Sequence, residues 1–79
     1  MTTTYLSTSG DRPVASADTL GAAQNYALTA EQEWDLHNDY RWDEYLPGQV
    51  WRLMSRRKGH KGRFSWTQRA VHAVEHVSA

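Results

Sequence analysis

The sequence contains no cysteine, which rules out disulfide bonds and thiolate metal sites as a means of stabilising the fold. No apolar run approaches the roughly eighteen residues that a membrane-spanning helix needs. The first ten residues, MTTTYLSTSG, have neither the basic start nor the apolar stretch of a secretory signal. Together these absences predict a soluble protein of the cytoplasm with no membrane role.

Motifs of catalytic sites are missing as well. Carboxylates and histidines occur, but there is no nucleophile elbow, no glycine fingerprint for phosphate and no HExxH zinc motif. A chain of 79 residues forms one small domain with little room for a preorganised pocket. We therefore predict a binding protein that is not an enzyme.

Two histidines have a spacing that suits metal binding on a helix. His72 and His76 are four residues apart, which would bring their imidazoles to the same helix face. A third ligand is not apparent, and solvated histidines near a helix end explain the pair equally well. The sequence therefore predicts neither a metal nor another cofactor.

Tryptophan, in contrast, is abundant. Four tryptophans fall between residues 34 and 66, namely Trp34, Trp42, Trp51 and Trp66. Each large aromatic ring can bury roughly 150–250 Å², so most of these rings are expected in the core of this short chain. The alternative is that one or two of them form an exposed contact patch.

Helical spacing of apolar residues predicts an all-α fold, a small three-helix bundle with a short fourth helix as an alternative. The predicted helices are 30–45, 49–58 and 65–79, and the short one is 18–28 with Asp18 as its N-cap. Residues 1–17, rich in Ser, Thr and Ala, are expected to form a flexible N-terminal arm before a helical domain over 18–79. A break near Asn38 and a strand at the start of the last segment remain alternatives.

Residues typical of helix ends support this assignment. Thr29 with Gln32, and Ser65 with Gln68, have the spacing of capping boxes at the start of two predicted helices. Gly59 follows a run of cations, an arrangement that is common where a helix ends. Part of the basic run therefore has a purely structural explanation.

A net charge of zero hides a strong separation of charge along the chain. The segment from Glu31 to Glu44 has six carboxylates and one cation, whereas Tyr45 to Ala70 has seven cations and no carboxylate. One explanation is structural, with the acidic segment packed beside the basic one. Exposed ion pairs of that kind contribute only about 0–1 kcal/mol each.

The other explanation is a cationic surface for an anionic partner. Nucleic acid is the first candidate, because cations that contact phosphates release counterions, and Phe64 and Trp66 lie nearby to stack on bases. The residues predicted to bind it are Arg52, Arg56, Arg57, Lys58, Lys61, Arg63, Gln68, Arg69 and His72. A net charge of zero argues against tight duplex binding unless the acidic segment faces away.

A protein-interaction or inhibitor module is the rival hypothesis. Trp, Tyr and Arg are the residue types enriched at interface hot spots, and an N-terminal arm could fold on a partner. An acidic surface of another protein would fit the same cations as nucleic acid. A homodimer that sets the acidic segment of one copy against the basic loop of the other is a further alternative.

Overall fold

The computed structural model of this chain describes residues 2–34 and 37–76, which form one antiparallel sheet of five strands and a single helix. The elements in chain order are β1 (Thr2–Ser9), β2 (Arg12–Ala17), α1 (Leu20–Trp34), β3 (Asn38–Leu46), β4 (Val50–Arg57) and β5 (Ser65–His76). Across the sheet the strands follow the order β2-β1-β5-β4-β3. The first and last strands of the chain are therefore direct neighbours.

The predicted all-α three-helix bundle is wrong. The segments expected to be helices over 49–58 and 65–79 contain β4 and β5, with residues 77–79 outside the described ones. The segment over 30–45 divides into the end of α1 and most of β3. Thr29 lies inside α1 and Ser65 begins β5, so neither capping box marks the start of a helix. The fold is a sheet covered by a helix on one side.

Apolar residues on both faces of the sheet explain this error. In β4, Trp51 and Leu53 point to one face, and Val50 and Met54 point to the other, because side chains alternate along a strand. A strand with one polar face would alternate apolar and polar residues. Four apolar residues within five positions instead resemble one face of a helix.

The prediction of a flexible N-terminal arm is also wrong, because that segment contains β1 and β2. These strands meet in a two-residue turn, and Gly10 has the positive φ of 63° that such a turn requires at its first position. β1 is rich in threonine, which favours strands, and it pairs with β2 on one side and β5 on the other. Pro13 lies in β2, an edge strand, where its missing N–H is tolerated. Two hydrogen-bonded ladders, with few apolar residues, order this segment.

α1 covers most of the short helix predicted over 18–28 and continues to Trp34. Its first turn is capped by Thr19, whose Oγ1 accepts a hydrogen bond from the Ala22 N–H at 3.2 Å, and not by Asp18. Ala23 and Ala27 are buried against the sheet, and their small side chains let the helix approach closely. No helix in the described part of the chain is long and apolar enough to cross a membrane.

Most of the buried core lies on the side of the sheet that α1 covers, although Ala70 is also buried on the opposite side. Leu53 and Val71 are fully buried on the α1 side, and Ser7 of β1 donates a hydrogen bond to the Ala23 carbonyl at 2.8 Å. Tyr40 of β3 reaches the same side, where its hydroxyl donates to the Glu31 carbonyl of α1 at 3.3 Å. The opposite side of the sheet is left for other contacts.

Candidate nucleic-acid interface

The face of the sheet opposite α1 is called the open face here, because no element of residues 2–34 or 37–76 covers it. Strand alternation and cross-strand register assign its side chains. The central ones are Leu6 and Thr8 of β1, Ala70, His72 and Val74 of β5, Val50, Arg52, Met54 and Arg56 of β4, and Arg41 and Asp43 of β3. The open face is thus mostly apolar on β1 and β5, cationic on β4, and mixed in charge on β3, where Arg41 lies between Asp39 and Asp43.

Arginine side chains of β3 and β4 lie on aromatic rings of the open face. The Arg52 guanidinium carbon is 4.1 Å from the centroid of the Trp66 ring and 4.7 Å from that of Tyr45. The guanidinium carbons of Arg41 and Arg56 each lie 4.4 Å from the centroid of the Phe64 ring. We call these six residues the aromatic–arginine cluster: Arg41, Tyr45, Arg52, Arg56, Phe64 and Trp66. Contacts of this type contribute about 0.5–1 kcal/mol each at exposed sites, so they restrain the guanidinium groups.

A bulge in β5 adjoins this cluster. Three residues of β5, 67–69, lie opposite one residue of β4, Leu53. Thr67 Oγ1 donates to the Leu53 carbonyl at 2.9 Å and accepts from the Arg69 N–H at 3.2 Å. Gln68 has a φ of 71°, which is uncommon for a residue other than glycine. The bulge is therefore held by specific hydrogen bonds, as bulges near functional surfaces often are.

The bulge also fixes the orientation of Trp66. The indole Nε1–H donates to the Arg69 carbonyl at 3.0 Å, so the polar edge of the ring is already occupied. The residue remains 38% exposed beside Arg52. What Trp66 offers a partner is therefore the surface of its ring.

The loop between β4 and β5, residues 58–64, adds further cations at the end of the sheet where the cluster lies. Lys58, Lys61 and Arg63 are exposed, and none of them forms an ion pair with any residue that the structure describes. Arg56 donates to the Gly62 carbonyl at 3.3 Å, which ties the loop to β4. The loop and the cluster therefore form one continuous cationic and aromatic surface.

Other predicted site residues lie elsewhere. Arg69 is on the α1 side of the sheet, where its Nε lies 2.6 Å from Glu31 Oε1 and the two side chains are only 15% and 23% exposed. Arg57 alternates with Arg56 and so points away from the open face. Gln68 belongs to the bulge. Three of the nine predicted residues are thus separated from the surface that gathers the rest.

The acidic segment does not cover the cations as a block. Glu31 and Glu33 belong to α1, on the other side of the sheet, and Asp35 lies outside the described residues. Asp39 and Asp43 of β3 are the cross-strand partners of Arg56 and Arg52. Of these two, Asp43 forms an ion pair within the described residues, with Arg41 at 3.1 Å. The cationic surface is therefore reduced in charge along its β3 edge but not neutralised.

The part of the open face nearest β1 and β5 is an apolar groove of about 670 Å³. Leu6, Val50 and Val74 are among its apolar lining residues. Asp11, Arg52 and His72 are its charged or titratable lining residues. Tyr45, Arg52 and Trp66 belong to both the groove and the aromatic–arginine cluster, so the two features share a border.

The histidine pair is spread along a strand. Four residues of a β-strand span about 13 Å, so the backbone positions of His72 and His76 are about twice as far apart as they would be on a helix, where four residues rise about 6 Å. Within the described ranges, no group of three potential metal ligands comes together. A spacing of four residues between two histidines suggests a shared metal ion only when both lie on a helix.

Four members of the cluster were not among the nine predicted site residues. Phe64 and Trp66 were expected nearby as rings for stacking, whereas Arg41 and Tyr45 were not predicted to take part. Arg41 is the one cation of the acidic segment, and Tyr45 is the first residue after that segment. The signal for them is the cross-strand register of β3 and β4, which sets Arg41 opposite Met54. That register cannot be derived while the two segments are taken for helices.

Comparison of the chain with family models, with curated proteins and with solved structures gives no match. A fold alone would not determine a function in any case. The function is therefore argued from the chemistry of the open face.

Proposed function

We propose that the protein is a non-enzymatic binding module that binds single-stranded nucleic acid along the aromatic–arginine cluster and the β4–β5 loop. The observation that carries this proposal is the pairing of arginines with exposed rings, because Arg52 lies on both Trp66 and Tyr45, and Tyr45 is 61% exposed. Bases stack on aromatic rings whatever their sequence, while neighbouring cations contact the phosphates. A cytoplasmic location remains part of the proposal.

The shape of the surface favours a single strand over a duplex. A duplex is commonly read by a helix or a two-stranded ribbon that enters the major groove. α1 lies on the other side of the sheet from the cations. An open sheet face with aromatic and cationic side chains instead suits unstacked bases that are splayed across it. Gln68, Arg69 and His72 were predicted to bind nucleic acid from a helix, but they lie on β5, so stacking on a sheet replaces that arrangement.

The distribution of charge supports the same choice. Arg56, Lys61 and Arg63 lie at one end of the sheet, whereas Lys58 lines a hollow together with Leu28 and Gln32 of α1. About four phosphate contacts would give a salt slope of about −3 for a single strand, since each contributes roughly −0.7. Such binding is weak at physiological salt and strong at low salt.

The direct test is a salt titration of binding to a fluorescent single-stranded oligonucleotide and to the matching duplex. We expect the single strand to bind more tightly at every salt concentration, with a slope of about −3. Lys61→Ala with Arg63→Ala should make the slope shallower by about 1.4. Arg12→Ala, which removes an exposed cation of β2, is the matched control and should leave the slope unchanged.

A second test separates stacking from charge. Trp66→Ala should weaken binding about 5- to 150-fold, because base–aromatic stacking contributes roughly 1–3 kcal/mol per base. The matched control is Trp34→Ala, since Trp34 is 86% exposed at the end of α1 and far from the open face in the fold. Absence of binding at low salt, or equal losses in the two tryptophan variants, would refute the proposal.

A further inference from the structure

The apolar groove needs a partner of its own, because an uncovered apolar surface on a small protein commonly marks an interaction site. Leu6, Val50 and Val74 line it, and Val74 is 40% exposed. The core on the α1 side is small, so this second apolar surface is a large share of what the chain has. Nucleic acid, in contrast, matches the cations beside the groove better than the aliphatic side chains within it.

We infer that a second copy of this chain covers the groove in a face-to-face dimer of the two open faces. Two opposite charges in the groove support this dimer. Asp11 lies on its β1 side and Arg52 on its β4 side, and β5 runs between them. A two-fold axis along β5 lays the β1 side of each copy over the β4 side of the other. Each Asp11 then faces the other copy's Arg52, and the pair occurs twice.

The edges of the sheet leave the open face as the surface for self-association. β3, one edge strand, carries Asp39, Asp43 and Glu44, and charges on an edge strand oppose pairing with another sheet. β2, the other edge strand, is short and contains Pro13. The net charge of zero means that two copies do not repel one another as a whole.

The dimer has a consequence for the proposed function, although it does not depend on that function. Tyr45, Arg52 and Trp66 line the groove and also belong to the aromatic–arginine cluster. A second copy on the groove would therefore cover part of the surface proposed for nucleic acid. Self-association and strand binding would exclude one another.

The test is the oligomeric state of the full chain, measured by sedimentation velocity from low micromolar to near-millimolar concentration. We expect a reversible dimer. Asp11→Arg and Arg52→Asp should each give a monomer, and the double variant should dimerise again because the pair is restored with its charges exchanged. Circular dichroism and thermal unfolding establish that each variant is folded.

A third variant keeps the test independent of the cluster. Val74→Asp places a charge among the apolar groove residues and should give a monomer at all concentrations. Tyr26→Asp is the matched control, since Tyr26 is a similarly exposed ring on α1, and it should leave the dimer intact. A wild-type chain that stays monomeric at the highest concentration overturns the inference, as does a folded double variant that does not dimerise. A folded Val74→Asp variant that still dimerises overturns it as well.

Discussion

The two faces of the sheet are covered by different means. On the α1 side, Leu53 and Val71 are fully buried in a core that a helix closes. On the open face, arginine side chains lie over aromatic rings, with Arg52 on Trp66 as the closest contact. Arginine can shield apolar surface with its stem while its charged end stays in water. One face therefore supplies the stability of the fold, and the other presents a surface that is ordered and still accessible.

This difference predicts that substitutions on the two faces affect different properties. Substitutions on the α1 side should lower the free energy of unfolding and leave binding unchanged in the folded fraction. Those on the open face should reduce binding with little effect on unfolding. The comparison fails if both properties change together on either face.

The largest effect is expected from Leu53→Ala. Leu53 is fully buried, and removal of a buried leucine side chain typically costs about 2–5 kcal/mol because a cavity remains. Val74→Ala, on the open face, should change the free energy of unfolding by less than about 0.5 kcal/mol under conditions in which the chain is monomeric. Urea unfolding at low protein concentration measures both. Similar losses in the two variants would mean that the open face belongs to the core.

The next effect concerns an arginine that the sequence assigned to binding. Arg69→Ala should lower the free energy of unfolding by about 1–3 kcal/mol, because it leaves the partly buried Glu31 without its charged hydrogen-bond donor. Its affinity for a single strand should match that of the unmodified chain. Arg56→Ala should show the opposite pattern, with weaker binding and a smaller stability change. Chemical unfolding and oligonucleotide titration of both variants decide between the two roles.

The positions of the charges could be predicted from the sequence better than the fold could. The clustering of Arg56, Lys58, Lys61 and Arg63 follows from their closeness in the chain and survives any change of secondary structure. The role of Arg69 does not, because it depends on whether residue 69 lies on a helix or on a strand. In β5, it points toward α1 and Glu31.

The fold was missed because the strands lack the usual period of two. Both faces of β4 carry apolar residues, for which helical spacing is an equally good description. β1 and β2 were missed for another reason, since they contribute hydrogen-bonded ladders with few apolar side chains. A signal was present in Gly10–Asp11, a two-residue hairpin turn between segments that tolerate strand geometry.

A smaller effect links the dimer to strand binding. Where half of the chain is dimeric, the apparent dissociation constant for an oligonucleotide should be about twofold higher than for the monomer, because only half of the sites are accessible. Adding the oligonucleotide should also shift the chain toward monomer in sedimentation. A complex that contains two chains at the same affinity would show that the surfaces do not overlap.

The smallest effect is expected at Gln68, which the sequence placed among the residues predicted to bind nucleic acid. Its φ of 71° costs roughly 1 kcal/mol in a residue other than glycine, and glycine relieves that cost but gains freedom in the unfolded chain. Gln68→Gly should therefore change the free energy of unfolding by less than about 0.5 kcal/mol, whereas Gln68→Val should destabilise, since a β-branched residue fits this conformation poorly. The oligonucleotide affinity of Gln68→Gly should be unchanged, because the role of residue 68 is to shape the bulge and its side chain is not needed at the ring of Trp66. A loss of affinity in a folded Gln68→Gly variant would instead show that the Gln68 side chain belongs to the binding surface.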